Sequence, residues 1–258
     1  MTVAELNFRF VAVGMGLIGL LLGSFSTVAI YRLPRNEQLV KGRSVCPSCL
    51  AVLWPLDMIP VLSWMVLRGR CRNCKVRISA MYPLVEMTTC VLAVAAVYQY
   101  GASVSSVVMG LVCIGLAVTA TIDAKTGKIP NKAIAVMAVV EIIGFSLVAI
   151  RSDAWDNWFR SMIVAAIAFC VALFLYVVSR GGLGEGDVKF APIVWMPLGW
   201  LGWGSAFGGY LVAALVAAIW ALVAAISQRK VRNVAIPFGP ALALGAIIPI
   251  LTNFTWPR

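Results

Sequence analysis

The sequence predicts an all-α polytopic membrane protein of about eight transmembrane helices, with a small zinc-bound cytoplasmic loop domain between the first and second spans. Three observations carry this. Of the 258 residues, 62% are hydrophobic and only 12% charged, where soluble domains run to roughly 45–50% apolar. The apolar residues gather in runs close to the roughly 20 residues a helix needs to cross a bilayer. The longest polar stretch, residues 32–80, carries two CxxC pairs. The chain therefore divides into a first span at 1–31, a tetracysteine domain at 32–80 and a membrane core of about seven spans at 81–258.

The runs fall at about 8–31, 81–100, 103–122, 133–150, 158–179, 190–206, 207–227 and 234–252. The first follows MTVAELNF, which lacks a basic leader region, so it reads as a retained span and not as a cleaved signal. LGWGSAFGG supplies only a glycine-rich turn between the sixth and seventh, and close packing of two helices is expected there. No internal repeat or low-complexity tract is visible. Charge sets the orientation. Segments 32–80, 123–132, 180–189 and 228–233 lie on one side and hold 9, 3, 2 and 3 of the 21 basic residues. Short cytoplasmic loops collect Lys and Arg, so this side is cytoplasmic and both termini lie outside. Arg229, Lys230 and Arg232 are such orientation charges. The net charge of +11 is accounted for in this way, and no basic stripe interleaved with stacking aromatics points to nucleic acid. The nine tryptophans lie mostly near span ends, as interfacial aromatics do.

CPSC (Cys46, Cys49) and CRNC (Cys71, Cys74) are separated by 21 residues. Each turn can present two thiolates, and four close a tetrahedral structural zinc site. Neighbouring Arg68, Arg70, Arg72, Lys75 and Arg77 would favour the thiolates. A disulfide reading fits poorly with a reducing cytosol, and a redox CxxC fits poorly with a doubled motif. Cys90, Cys113 and Cys170 lie in spans and read as packing residues.

There is no histidine. That removes Ser-His-Asp and Cys-His nucleophile systems and His-ligated zinc hydrolases. Acid–base chemistry falls to Asp, Glu, Lys, Cys or Tyr. Among ten acids, Asp123 (AVTATIDAKTGKIPN) and Asp187 (GEGDVKF) stand out, one at the end of the third span and one at the start of the sixth. Same side and same depth are what a two-carboxylate site needs. Two carboxyl groups in contact share one proton, which suits peptide hydrolysis by an activated water. Gly184 and Gly186 would let a substrate backbone approach. Glu185 reads as a dispensable neighbour. Two other readings stand beside this one: ion pairs with Lys125 and Lys189, and a transporter that keeps membrane aspartates for cations.

The same residues resemble the type IV prepilin peptidases, intramembrane aspartic proteases with a GxGD motif, over nearly the whole chain. LLGSFSTVAIYRLP resembles the family's first-span signature. CPSC and CRNC resemble its tetracysteine motif, and DMIPVLSWMVLRGRCRNC with ISAMYPLVE the segment that follows. TIDAKTGKIPN and GLGEGDVKF resemble the two aspartate blocks, and IPFGPALALGA the last span. The resemblance implies catalytic Asp123 and Asp187 and cleavage after a glycine, on the cytoplasmic side of a bacterial inner membrane. The implied substrates are prepilins or pseudopilins of type IV pilus and type II secretion systems. It also implies N-methylation of the new terminus with S-adenosylmethionine, in a region that includes Gly69 and Glu86. Ser26-Thr27 stand where the family usually has Leu-Asn. Asn131 stands where an aspartate is common and is expected to cap the fourth span. Presenilin-like GxGD proteases share the Pro240-Ala241-Leu242 triplet but lack the tetracysteine loop. A homo-oligomer is left open.

Overall fold

The computed structural model describes residues 3–35, 38, 43–179, 183–228 and 238–252. They form α1 (Val3–Arg32), a short α2 (Leu62–Val66), α3 (Met81–Tyr100), α4 (Val104–Thr126), α5 (Asn131–Ser152), α6 (Trp155–Val178), α7 (Glu185–Leu201), α8 (Trp203–Gln228) and α9 (Gly239–Thr252). The described residues contain no strand, only two isolated bridges in the loop domain. Six helices are long and apolar enough to cross a membrane: α1, α3, α4, α5, α6 and α8. With the shorter α7 and α9, of 17 and 14 residues, eight apolar helices answer to the eight apolar runs. Arg180, Arg229, Lys230 and Arg232 lie outside the described residues.

Helix contacts are made where glycines remove side chains, as expected where lipid offers helices no net gain from burying apolar surface. Along α1, a Cβ on Gly19 would lie 2.7 Å from the Thr89 carbonyl oxygen, and one on Gly23 would lie 2.7 Å from Glu86 Cα. The backbones of α1 and α3 therefore touch, and the Thr89 hydroxyl donates across the contact to the Gly19 carbonyl at 2.7 Å. Gly199 sets α7 against Ser161 and Val164 of α6, and Gly209 sets α8 against Gly245 of α9. Helix α7 is buried on nearly every face, with Val188, Phe190, Ala191 and the whole run Ile193–Trp200 inside. A helix apolar all round belongs in a bundle's centre. Arg160 closes its far end, with Nε donating to Gly199 O at 2.8 Å and Nη2 to Trp200 O at 2.9 Å. A cation there satisfies free carbonyls and opposes the helix dipole.

Several sequence expectations are corrected. The break between the sixth and seventh spans falls at Gly202, not near 206, because Gly202 takes φ 141°, which favours glycine. Both α7 ends move about five residues towards the N-terminus, so Asp187 lies inside the first helical turn. Asn131 does not cap α5. Pro130 is the N-cap, Asn131 is the first helical residue, and no side-chain cap bond forms. Trp195 is no interfacial aromatic: it is buried in α7, donates to Ala206 O at 3.3 Å and packs on Tyr210. Cys113 is buried as a packing residue should be, whereas Cys170 is exposed.

A repeat also exists that the sequence hides. Bridge Val45–Val52 and bridge Arg70–Arg77 have the same register 25 positions apart. Cys46 N–H donates to Ala51 O, and Leu50 N–H to Cys46 O. Cys71 N–H donates to Val76 O, and Lys75 N–H to Cys71 O. Leu50 and Lys75 both take positive φ. The repeated unit is a backbone turn around a cysteine pair, so only the cysteines need recur.

Gly23→Val is expected to force α1 away from α3. Overpacking costs roughly 1–3 kcal/mol, read as a melting temperature in detergent several degrees below that of the parent. An unchanged melt would show that this contact does not hold the helix pair.

Candidate functional site

Asp123 lies in the last turn of α4. Gly127, at φ 60°, ends that helix by donating its N–H to the Asp123 carbonyl. The left-handed turn sends the chain through Ile129 and Pro130 into α5. The Asp123 side chain is buried, and its Oδ2 accepts a hydrogen bond from Gly239 N–H at 2.8 Å. Asp187 sits in the first turn of α7, half-buried. Its Oδ2 accepts a longer bond, 3.3 Å, from Gly184 N–H, while its own N–H donates to Gly184 O at 3.1 Å. This is the reciprocal pattern that satisfies free donors at a helix start.

The structure brings the two aspartates to one end of the bundle, where the α7 start that carries Asp187 packs on Ile129, six residues after Asp123. The two motif glycines serve different contacts. A Cβ on Gly186 would meet Ile129 Cβ at 3.2 Å, so its absence lets the α7 start sit against the α4–α5 connection. A Cβ on Gly184 would meet Asp187 Oδ2 at 3.1 Å. The ion-pair alternative does not hold for the described residues. Neither aspartate pairs with a lysine, and Lys189 instead lies 3.9 Å from Glu185, both exposed. An exposed pair of that kind contributes little. Gly239 was not singled out from the sequence. A lone glycine in an apolar block carries no signal until its N–H is seen to point at a carboxylate.

The four loop cysteines converge. Their sulfur atoms all lie within 4.8 Å of one another, and Cys46 Sγ is 3.8 Å from Cys74 Sγ. Metal–sulfur bonds of about 2.3 Å in a tetrahedron require sulfurs about 3.8 Å apart, so the cluster fits a metal ion. The thiolate-favouring groups differ from those expected. Cys46 is brought down to about 6 by the backbone N–H groups of Cys49 and Ser48, not by the arginines. Arg72 is spent on Asp57, Nη2 to Oδ1 at 2.6 Å, which holds the Asp57 carboxyl below its usual range. Without a metal, Cys74 receives the Val76 N–H, yet desolvation and the neighbouring sulfurs push it up to about 11.

Gly69 and Glu86 have structural work. Gly69 takes φ 64°, and a Cβ there would lie 2.9 Å from the Trp64 ring, whose Nε1 donates to Ile78 O. Glu86 is buried, and its Oε2 accepts from Val61 N–H at 2.7 Å. Val61 is β-branched at φ 60°, a conformation that persists only when its surroundings hold it. This bond fastens the loop domain to α3. Ser26 and Thr27 are buried and donate within α1, to Leu22 O and Ser24 O.

Removing the metal, by chelation or by serine at any of the four cysteines, is expected to open residues 43–79 to protease and to release one metal ion per chain. Metal analysis and limited proteolysis check this; an intact, metal-free loop would contradict it.

Comparison with known proteins agrees with this arrangement. The family described as the bacterial peptidase A24 N-terminal domain matches residues 17–100, and the type IV leader peptidase family matches residues 110–226. The chain is similar to the prepilin leader peptidase/N-methyltransferase of Bacillus subtilis, 30% identical over 91% of this chain and 92% of that one. Proteins of the same name in Pseudomonas aeruginosa and Neisseria gonorrhoeae are each 29% identical, over 91% and 92% of this chain and 88% of each relative. No solved structure gives a significant match. A tetracysteine loop in the first matched segment and both aspartates in the second lie where the two parts of one peptidase lie, and the chain belongs to the type IV leader peptidase family.

Proposed function

We propose that the protein cleaves the basic leader from type IV prepilins or pseudopilins at the cytoplasmic face of a bacterial inner membrane, using Asp123 and Asp187. Both termini then face the periplasm. What supports the reading is that two acids 64 positions apart in sequence lie at one end of the bundle, where Gly186 beside Asp187 packs on Ile129 just after the α4 end that carries Asp123. The pair shares one proton. The ionised member takes a proton from water as its oxygen attacks the scissile carbonyl, and the protonated member donates to the carbonyl oxygen. Collapse of the tetrahedral intermediate breaks the C–N bond, and the proton taken from water passes to the leaving amine. Gly184, exposed and without a side chain, leaves the Asp187 side open to the substrate backbone, while Gly186 seats the α7 start on Ile129. An apolar substrate helix is held among the spans while its basic leader stays in the cytosol.

In this reading residues 1–31 form the first span, 32–80 a zinc domain and 81–258 the protease core. Cys46, Cys49, Cys71 and Cys74 would hold Zn2+, which shapes a loop too small to build its own core. The names of the relatives support N-methylation of the new terminus, with S-adenosylmethionine as donor by family resemblance. Gly69 is filled by Trp64 and the Glu86 carboxylate is engaged by Val61. In this reading both residues also hold the loop in place, beside any role in the methyl-transfer region that the resemblance assigns them.

Asp123→Asn and Asp187→Asn are each expected to lower prepilin cleavage at least about a hundredfold, the scale of acid–base catalysis. Glu185→Gln is expected to cleave at close to the parental rate, since its partner is an exposed lysine. A gel-shift assay on a co-expressed prepilin decides; cleavage by either asparagine variant rules out the mechanism. Glu86→Gln, which keeps an acceptor for Val61 N–H, is expected to retain both activities and loop protection. Glu86→Ala is expected to lose loop protection. If Glu86→Gln loses methylation with the loop still protected, the charge of Glu86 has a role beyond fastening.

A further inference from the structure

Asp123 and Asp187 are not held alike. Asp123 is buried, and the bond it receives, 2.8 Å from Gly239 N–H, comes from 116 positions away in sequence. Gly239 is the first residue of α9. Its N–H is one of the donors a helix start leaves without an intrahelical partner, and it brings the positive end of the α9 dipole to the carboxylate. The next residue, Pro240, has no N–H, and Leu242 N–H is already given to Phe238 O at 3.0 Å. The space where a side chain at 239 would stand is taken by the aspartate: a Cβ there would lie 2.7 Å from Oδ2, 2.9 Å from Asp123 Cβ and 3.0 Å from Cγ. Asp187, half-exposed, has only a 3.3 Å bond from within its own turn. Among the described residues no lysine or arginine pairs with either acid.

We propose that Gly239 is the positioning residue of Asp123, its N–H fixing the carboxylate towards Asp187 and its missing side chain making the approach of α9 to the α4 end sterically possible. A hydrogen bond donated to a carboxylate favours its ionised form. The C-terminal helix, beyond the segment that matches the leader peptidase family at 110–226, is part of the catalytic arrangement. This inference rests on the two-aspartate reading.

The test uses purified full-length enzyme with bound metal in detergent and a purified prepilin. Two variants are compared: Gly239→Ala, and a backbone ester between residues 238 and 239 that removes the N–H but adds no side chain. Both are expected to lower kcat at least about tenfold, with KM within about twofold of the parent. That split marks orientation of a catalytic group and not loss of substrate binding. Should the alanine variant fail to melt cooperatively, the ester variant decides. Parental kcat in the ester variant overturns the inference, as does a loss that appears wholly in KM. Asp123→Asn is run beside them. If it is inactive while the ester variant is normal, only this inference falls. If it still cleaves, the two-aspartate reading falls as well.

Discussion

Close backbone contact at glycine is the constraint on which the rest of the molecule depends. In a bilayer, apolar side chains gain little by leaving lipid for protein, so helices associate where their backbones can approach and where a hydroxyl or amide reaches across. Gly19 and Gly23 bring α1 onto α3, Gly199 brings α6 onto α7, and Gly209 with Gly245 brings α8 onto α9. The largely buried α7 can occupy the centre only because its neighbours come this close. Once it is there, its first turn and the last turn of α4 lie at the same end of the bundle.

That end is built from helix termini. Asp123 belongs to the closing turn of α4 and faces the opening of α9. Asp187 belongs to the opening turn of α7. Helix ends are where backbone N–H groups remain free, so a carboxylate placed there can be held without a basic partner. Among the described residues no lysine or arginine pairs with either acid. Glu185 shows the contrast: it is exposed beside Lys189.

The loop domain is a separate solution to a separate problem. Its turns around Cys46–Cys49 and Cys71–Cys74 repeat one hydrogen-bond pattern, and its four sulfurs lie within 4.8 Å of one another. Asp57 ties the second turn to the preceding segment through Arg72, and Glu86 ties Val61 to α3. Gly69 and Glu86 thereby acquire a physical meaning apart from any contact with a methyl donor: they hold the loop's shape and its attachment to the membrane helices.

Much of this could be read without coordinates. Composition and run length determined the class and the six long spans, because a bilayer demands about 20 apolar residues per span whatever the packing, while α7 and α9 are shorter apolar helices. The spacing of the cysteines pointed to their cluster, because two-residue turns bring thiols together locally. Asp123 and Asp187 could be singled out because charge is scarce in such a chain. What the tertiary structure decided depends on contacts between distant segments. The Gly239 bond to Asp123 spans 116 positions, the Glu86 bond to Val61 joins a loop to a helix, and the end of α7 is set by the φ of Gly202. Asn131 had the right chemistry for a cap, yet Pro130 took the position. A sequence displays residue types and local periods. Which backbone N–H faces which carboxylate is settled only when the helices have packed.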